Sequence, residues 1–189
     1  MKILFEEDKN RAAAYDDVRL AGHCDIVRQE TFWIITHTEV DPAYGGQGIA
    51  GELVKCVMEK AEEAHVKVKP FCSYAAHLFV KNPAYAAMED KSVITVYGMK
   101  TCPDCIVVDR QIRGNESFRL IDIGDHVKNM KAFLKYRDSD PAFESVRGNG
   151  VGIPCFVLED GTVTLRPEDV GLSSEPDSGA ACSIDGTGC

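Results

Sequence analysis

Cys102 and Cys105 stand three positions apart in the run Thr101-Cys102-Pro103-Asp104-Cys105. On a helix that spacing brings both thiols to one side, where they can close a disulfide and be reopened by the thiol of another molecule. The preceding Val93 to Tyr97 reads as a strand and Pro103 to Ile112 as a helix, which sets Cys102 at a helix start. Free backbone amides and the positive end of the helix dipole favour a thiolate there, and Pro103 at the first helical position has no N–H to satisfy. Lys100 adds a positive charge to the same end and Asp104 a negative one. A Cys-x-x-Cys pair is also half of many zinc sites. No second pair at ligand spacing lies nearby and the remaining cysteines are scattered, so no metal is expected.

A different chemistry is open to Gly45-Gly46-Gln47-Gly48, which separates the strand-like Glu30 to Val40 from a helix. The helix is read from Ile49, Leu53, Val57 and Ala61 with Ala50, Val54 and Met58, apolar positions at helical spacing. Successive backbone N–H groups at such a turn converge on a phosphate, and glycine lets the ligand come close. Taken alone, the spacing fits equally well a turn that uses glycine only for its backbone freedom.

These two constellations need elements to hold them. Lys2 to Glu6, Arg19 to Val27 and Glu30 to Val40 read as strands of a meander, followed by the helix after the glycines, a short strand at Val66 to Val68 and a helix at Tyr74 to Val80. The polar Met88 to Ser92 marks a boundary, after which the pattern restarts. Strands are expected at Val93 to Tyr97, Phe118 to Ile123 and Ile153 to Leu158, and helices at Pro103 to Ile112, Val127 to Tyr136 and Pro141 to Val146, with a hairpin turn at Asp160-Gly161. Strands alternating with helices make both parts α/β. The Ser-, Gly- and Asp-rich stretch 173–189, which carries Cys182 and Cys189, is expected to be a flexible tail.

The formal net charge of −9 is shared by both halves of the 189 residues. With no basic face to neutralise phosphates, nucleic acid and anionic membranes are not expected partners. No apolar run of signal-peptide or membrane-spanning length occurs, so a cytoplasmic location is expected. Eight cysteines in a chain with 44% hydrophobic residues read as reactive thiols in a reducing compartment, not as a secreted disulfide scaffold.

Thr36-His37-Thr38-Glu39-Val40, the turn Tyr44 to Ala50 and Pro70-Phe71-Cys72-Ser73-Tyr74-Ala75 together resemble the small GNAT-related N-acetyltransferase-like family. The resemblance covers nearly all of residues 1–88. It implies a miniature mixed sheet with helices, binding acetyl-CoA or coenzyme A along Thr38 and Val40, with the pyrophosphate over the amides of Gly46, Gln47, Gly48, Ile49, Ala50 and Gly51. The first position of the family's pyrophosphate motif, usually Arg or Gln, is Gly45 here. The resemblance also places a cysteine at Cys72, between a strand and a helix. Two roles are open to it: an acylated nucleophile, or a plain core residue. Glu39 or His37 is a candidate general base, and Tyr74 or Tyr85 a candidate proton donor to the departing thiolate; each is also read as ordinary surface or apolar filling. The acyl acceptor is not legible.

From Val93 to Leu172 the chain resembles a glutaredoxin-related bacterial family through Cys-Pro-Asp-Cys, Phe133-Leu134-Lys135-Tyr136-Arg137-Asp138, Gly152-Ile153-Pro154-Cys155-Phe156 and Glu159-Asp160-Gly161. The resemblance implies a thioredoxin-like fold. Cys102 attacks a disulfide, Cys105 resolves it, and Ile153 with a cis Pro154 shapes the docking site beside Lys100 and Pro103. Typical glutaredoxins have Tyr where Asp104 stands and a Gly-Gly pair that holds glutathione, which is absent here. Glutathione or another small thiol, or a protein disulfide, is therefore open as the partner. Cys155 reads as a buried strand residue or a third redox thiol.

The sequence is thus read as an α/β chain of two domains: a GNAT-like acetyl-CoA-binding domain over 1–90 and a glutaredoxin-like dithiol domain over 91–172. The expected function is an N-acetyltransferase-like unit joined to a thiol-disulfide oxidoreductase. The alternative is a non-catalytic coenzyme A-binding or docking unit that delivers the reductase to its target.

Overall fold

A computed structural model describes residues 1–174. The proposed tail, with Cys182 and Cys189, lies outside the described residues apart from Ser173 and Ser174. Two compact units are present, Met1–Asp90 and a second that begins at Lys91.

The first unit is a five-stranded sheet in the order β1-β2-β3-β4-β5. Strands β1 (Lys2–Glu6), β2 (Arg11–Asp16), β3 (Arg19–Arg28) and β4 (Phe32–Val40) are antiparallel neighbours, and β5 (Lys67–Pro70) joins β4 in parallel. Helix α1 (Ile49–Glu63) makes the β4-to-β5 crossover. Its apolar stripe of Ile49, Leu53, Val54, Val57, Met58 and Ala61 is buried against Ala12, Ala14, Cys24, Ile26, Trp33, Ile35 and Val68. Each large aliphatic side chain in that layer contributes about 1.5–3 kcal/mol by leaving water. Two short helices follow, α2 (Ser73–Lys81) and α3 (Pro83–Ala87).

Strand β2 is absent from the sequence-based reading. Ala12, Ala13 and Ala14 are fully buried, and alanine is a strong helix former. Burial on both sheet faces overrides that preference, the small side chains leaving room for α1 to lie on the sheet.

Two irregularities in β4 set the direction in which its side chains point and the place where it leaves its neighbour. Its register with β3 passes from Asp25↔His37 to Ile26↔Ile35, so Thr36 is an extra residue. Such a bulge shifts the side-chain alternation by one: Trp33 and Ile35 face the α1 core before it, Thr38 and Val40 after it. Pairing with β5 also ends at Ile35↔Pro70, whereas β4 runs on to Val40. The chain then turns away, the N–H groups of Phe71 and Cys72 both donating to the Ile35 carbonyl at 3.0 and 2.9 Å.

The end of the first unit is fastened to β5. Asp90 N–H donates to the Val68 carbonyl at 2.9 Å. The Lys69 side chain, 1% exposed, reaches the Asp90 carboxylate at 2.8 Å and its carbonyl at 3.2 Å.

The second unit is a four-stranded sheet in the order β7-β6-β8-β9. β6 (Ile94–Gly98) and β7 (Phe118–Asp122) are parallel, joined through α4 (Pro103–Ile112). β8 (Cys155–Val157) is antiparallel to β6, and β9 (Val163–Thr164) to β8. Tyr97, Ile123, Phe133, Phe143, Cys155 and Val157 form a core on one sheet face, with α5 (Val127–Ser139) and a 3-10 turn at Pro141–Val146. Cys105, Val108 and Ile112 of α4 are buried from the opposite face, that of Gly98. Ile153 and Pro154, expected inside a strand, lie before β8.

Candidate functional site

The stretch from β4 to α1 is held by a polar network that the sequence does not reveal. Asp41 accepts from the Ala43 N–H at 2.8 Å and from the Arg19 guanidinium at 2.6 Å. Arg19 also lies over the Tyr44 ring, 5.5 Å from its centroid, and the Tyr44 hydroxyl donates to Asp16 at 3.0 Å. The β2–β3 hairpin thereby fixes the short Pro42–Tyr44 turn ahead of the glycines. Gly46 and Gly48 take φ of 75° and 77°, and a Cβ on either would meet nothing within 4 Å. Here glycine is needed for the left-handed backbone, and the surface in front of it is open.

Gly48 caps α1 without a side-chain hydrogen bond. The first amides of a 15-residue helix, Ile49, Ala50 and Gly51, therefore point out of its N-terminus with the dipole behind them. The bend residues and helix amides fit a pyrophosphate. Thr38, Val40 and Ile49 have buried side chains, so any contact they make with a ligand is through the backbone. Gln47, Gly46 and Gly48 are exposed and Ala50 and Gly51 half-buried.

Cys72 ends β5's exit and caps α2. It is buried, and its thiol donates to the Thr38 hydroxyl at 3.6 Å, which in turn donates to the Cys24 sulfur at 3.5 Å. Burial pushes the Cys24 thiol up to about 12. Cys24, directly opposite Thr38 in the register, escaped the sequence reading because cross-strand register is not written in a single strand.

His37 and Glu39 occupy the other sheet face, 3.6 Å apart. Their register partners Asp25 and His23 complete a checkerboard, with His23 3.2 Å from Asp25 and the two imidazole centroids 6.1 Å apart. The Asp25 carboxylate holds the His23 pKa above its ordinary value, against the opposing effect of burial. The two tyrosines separate: Tyr85 packs against Phe79 with tilted rings 5.7 Å apart at the edge of the apolar core, while the Tyr74 hydroxyl would lie 3.6 Å from a Cβ at Gly51. Tyr74 is thus the one at the glycine cradle.

In the second unit Cys102 caps α4, with Pro103 exposed in the first turn. The Cys102 N–H donates to Met99 O at 3.0 Å and its carbonyl accepts from Ile106 at 3.1 Å. Cys105 is buried behind it. Burial, and then the hydrogen bond with Cys102, push the Cys105 thiol up to about 12. Gly98 makes room for it: a Cβ there would stand 3.2 Å from the Cys105 sulfur. A strand glycine just before a thiol pair is a signal of close approach that could have been read from sequence.

The Ile153–Pro154 peptide is cis. Tyr97 pairs with Cys155, and one step further along the antiparallel register brings Pro154 level with Gly98, at the sheet end from which the Cys102 loop departs. Cys155, pushed up to about 12 by burial, belongs to the core on the face away from α4 and so is not gathered with the other two thiols. Lys100 is engaged elsewhere: its ammonium lies 2.9 Å from Asp125 and 3.5 Å from Asp122. Among the described residues no helix is long and apolar enough to cross a membrane, and no three His, Cys, Asp or Glu side chains gather as a metal set.

The model of the GCN5-related N-acetyl-transferase family matches residues 11–88. An uncharacterized protein of Haemophilus influenzae is 32% identical over 68 residues, which cover 35% of this chain and 79% of the relative. The matched segment runs from β2 through α3 and includes the glycine cradle, Thr38 and Cys72. Acetyltransferases of this family typically use acetyl-CoA. Through its first unit, this chain belongs to the GCN5-related N-acetyl-transferase family.

Proposed function

We propose that the first unit binds acetyl-CoA between the parting strands β4 and β5 and transfers its acetyl group, and that the second unit is a glutaredoxin-like dithiol reductase. What carries the first reading is one continuous feature: β4 outruns β5 beyond Ile35 and leads through the Gly46 and Gly48 bend into the uncapped amides of α1. The pantetheine arm is extended and rich in amides, suited to lie along a strand edge, while its pyrophosphate meets the helix N-terminus.

This geometry is tested by Gly46→Asp. Aspartate tolerates the left-handed conformation better than most residues, and a Cβ at 46 has free space, so the fold is expected to survive with a modest loss of Tm from the strained backbone. Its carboxylate would take the place of the anion. Calorimetric titration is expected to show acetyl-CoA affinity reduced about tenfold or more; unchanged affinity would remove the cradle from the binding site.

Within that unit Cys72 is proposed as acyl acceptor. Its sulfur attacks the thioester carbonyl, the carbon–sulfur bond to coenzyme A breaks, and the thiol proton leaves with the coenzyme A sulfur. Intact-protein mass spectrometry after incubation with acetyl-CoA under reducing conditions is expected to show one added acetyl group, missing in Cys72→Ala. Equal labelling of both proteins would return Cys72 to a core role. Gly45, where family members carry Arg or Gln, favours a second reading, a coenzyme A-binding module that does not transfer. Tight binding without labelling of the protein or of any amine would support it.

The dithiol half of the proposal is supported by four features: the β7-β6-β8-β9 order, Cys102 at a helix N-terminus, Cys105 buried one turn on, and a cis proline level with Gly98, at the sheet end from which the Cys102 loop departs. The Cys102 thiolate attacks a substrate disulfide and expels one thiol. The Cys105 sulfur then attacks Cys102, releases the second thiol and leaves the protein as its disulfide, two electrons having passed to the substrate.

A further inference from the structure

A cavity of about 280 Å³ opens against the Cys105 side of α4. Gly98, Met99 and Lys100 wall it from the loop ahead of Cys102, Cys105, Ile106 and Asp109 from α4, and Leu120, Asp122 and Asp125 from β7 and the turn after it. Two of its apolar members, Ile106 and Leu120, are 37% and 40% exposed, an uncovered apolar floor beside Cys105, whose sulfur is hydrogen-bonded to that of Cys102 outside the cavity lining. Volume and lining match a small molecule with a short hydrocarbon stem.

Charge decides which kind. At the thiol end stand Asp104 of the motif and Asp122 and Asp125 of the cavity, facing one cation, Lys100, which both cavity carboxylates share. At the far end Asp109 is held by Arg113 at 2.6 Å, and the basic residue of the last turn of α4, Arg110, is also remote from the cysteines. Carboxylates thus outnumber cations where a disulfide meets the sulfurs. Glutathione disulfide brings an excess of carboxylates of its own to this field, whereas an ammonium group near the sulfur is attracted by it.

We propose that this cavity receives the disulfide reduced by Cys102 and Cys105, and that it selects an aminoalkyl disulfide, an ammonium group on a short apolar stem, over glutathione disulfide. The inference rests on the dithiol reading of the second unit. The chemistry balances: the disulfide gains two electrons and leaves as two thiols, while the protein dithiol becomes a disulfide that an external thiol reductant reopens.

The test is a single-turnover oxidation of the reduced full chain by cystamine, 2-hydroxyethyl disulfide and glutathione disulfide in turn. Each rate is divided by that of dithiothreitol with the same reagent, which removes intrinsic reactivity. Cystamine is expected to lead and glutathione disulfide to trail by about tenfold or more at low salt, with the neutral reagent between them. The spread should shrink in high salt, and also in the double variant Asp104→Asn with Asp125→Asn, both at exposed positions at the thiol end. Glutathione disulfide reacting as fast as cystamine overturns the selectivity and leaves the dithiol reading standing. A spread that the double variant does not change overturns the cavity as its source. Equal oxidation of wild type and Cys102→Ser by every reagent sinks the dithiol reading itself, and this inference with it.

Discussion

Cys102→Ser is expected to lose disulfide reduction by about a thousandfold or more while binding acetyl-CoA as tightly as the wild type. A serine hydroxyl is a far weaker nucleophile toward sulfur at neutral pH, and nothing else among the described residues of the second unit stands ready to replace it. Cys155 is on the other face of the sheet, and Cys105 is buried with its thiol pushed up to about 12. Cys105→Ser is expected to behave differently, completing the first attack and accumulating a mixed disulfide on Cys102 because the resolving sulfur is gone. Turnover with 2-hydroxyethyl disulfide and mass analysis of the trapped adduct check both. Substantial turnover by Cys102→Ser would remove it as the attacking thiol.

Gly22→Ala is expected to destabilise the first unit by about 2–3 kcal/mol, the scale of overpacking in a close-packed interior. Gly22 pairs with Val40 across β3 and β4, and a Cβ there would stand 2.7 Å from the Glu39 carbonyl oxygen and 3.0 Å from a Val40 methyl. Backbone cannot swing aside as a side-chain tip does. The end of β4 must shift instead, and with it the path into the Gly46 bend. Thermal melting should therefore fall by roughly 10 °C for a unit of this size, with acetyl-CoA affinity weakened in parallel. A variant that melts like the wild type would mean that β3 and β4 separate here without cost.

Much of both sites was written in local sequence. The ligands and roles given to the glycine bend and the Cys-x-x-Cys helix start came from the family resemblances, but both are contiguous, so their local backbone was legible in spacing. The same holds for α1, whose stripe has a clean period, and for α4, whose limits were read as they stand. The features beyond local reading depend on distant partners. Thr38 lies between Cys24 and Cys72 because of a register and a bulge at Thr36. Lys100, read as a neighbour of Cys102, is drawn to Asp122 and Asp125, carboxylates 22 and 25 positions away in sequence. The missed strand β2 is the plainest case, an alanine run whose intrinsic preference points to helix and whose burial makes it sheet.

The clasp between Lys69 and Asp90 separates two notions of where the first unit stops. The segment shared with the family ends at residue 88, but the carboxylate that neutralises a nearly inaccessible ammonium comes two residues later. The family match and the folded unit thus end at different residues. Cutting at residue 88 would take the Asp90 carboxylate away from an ammonium that lies in an apolar setting, 5.4 Å from the centre of the Phe32 ring. Asp90 immediately precedes Lys91, where the second unit begins, so the residue that ends this segment of the first unit is also one of its rivets.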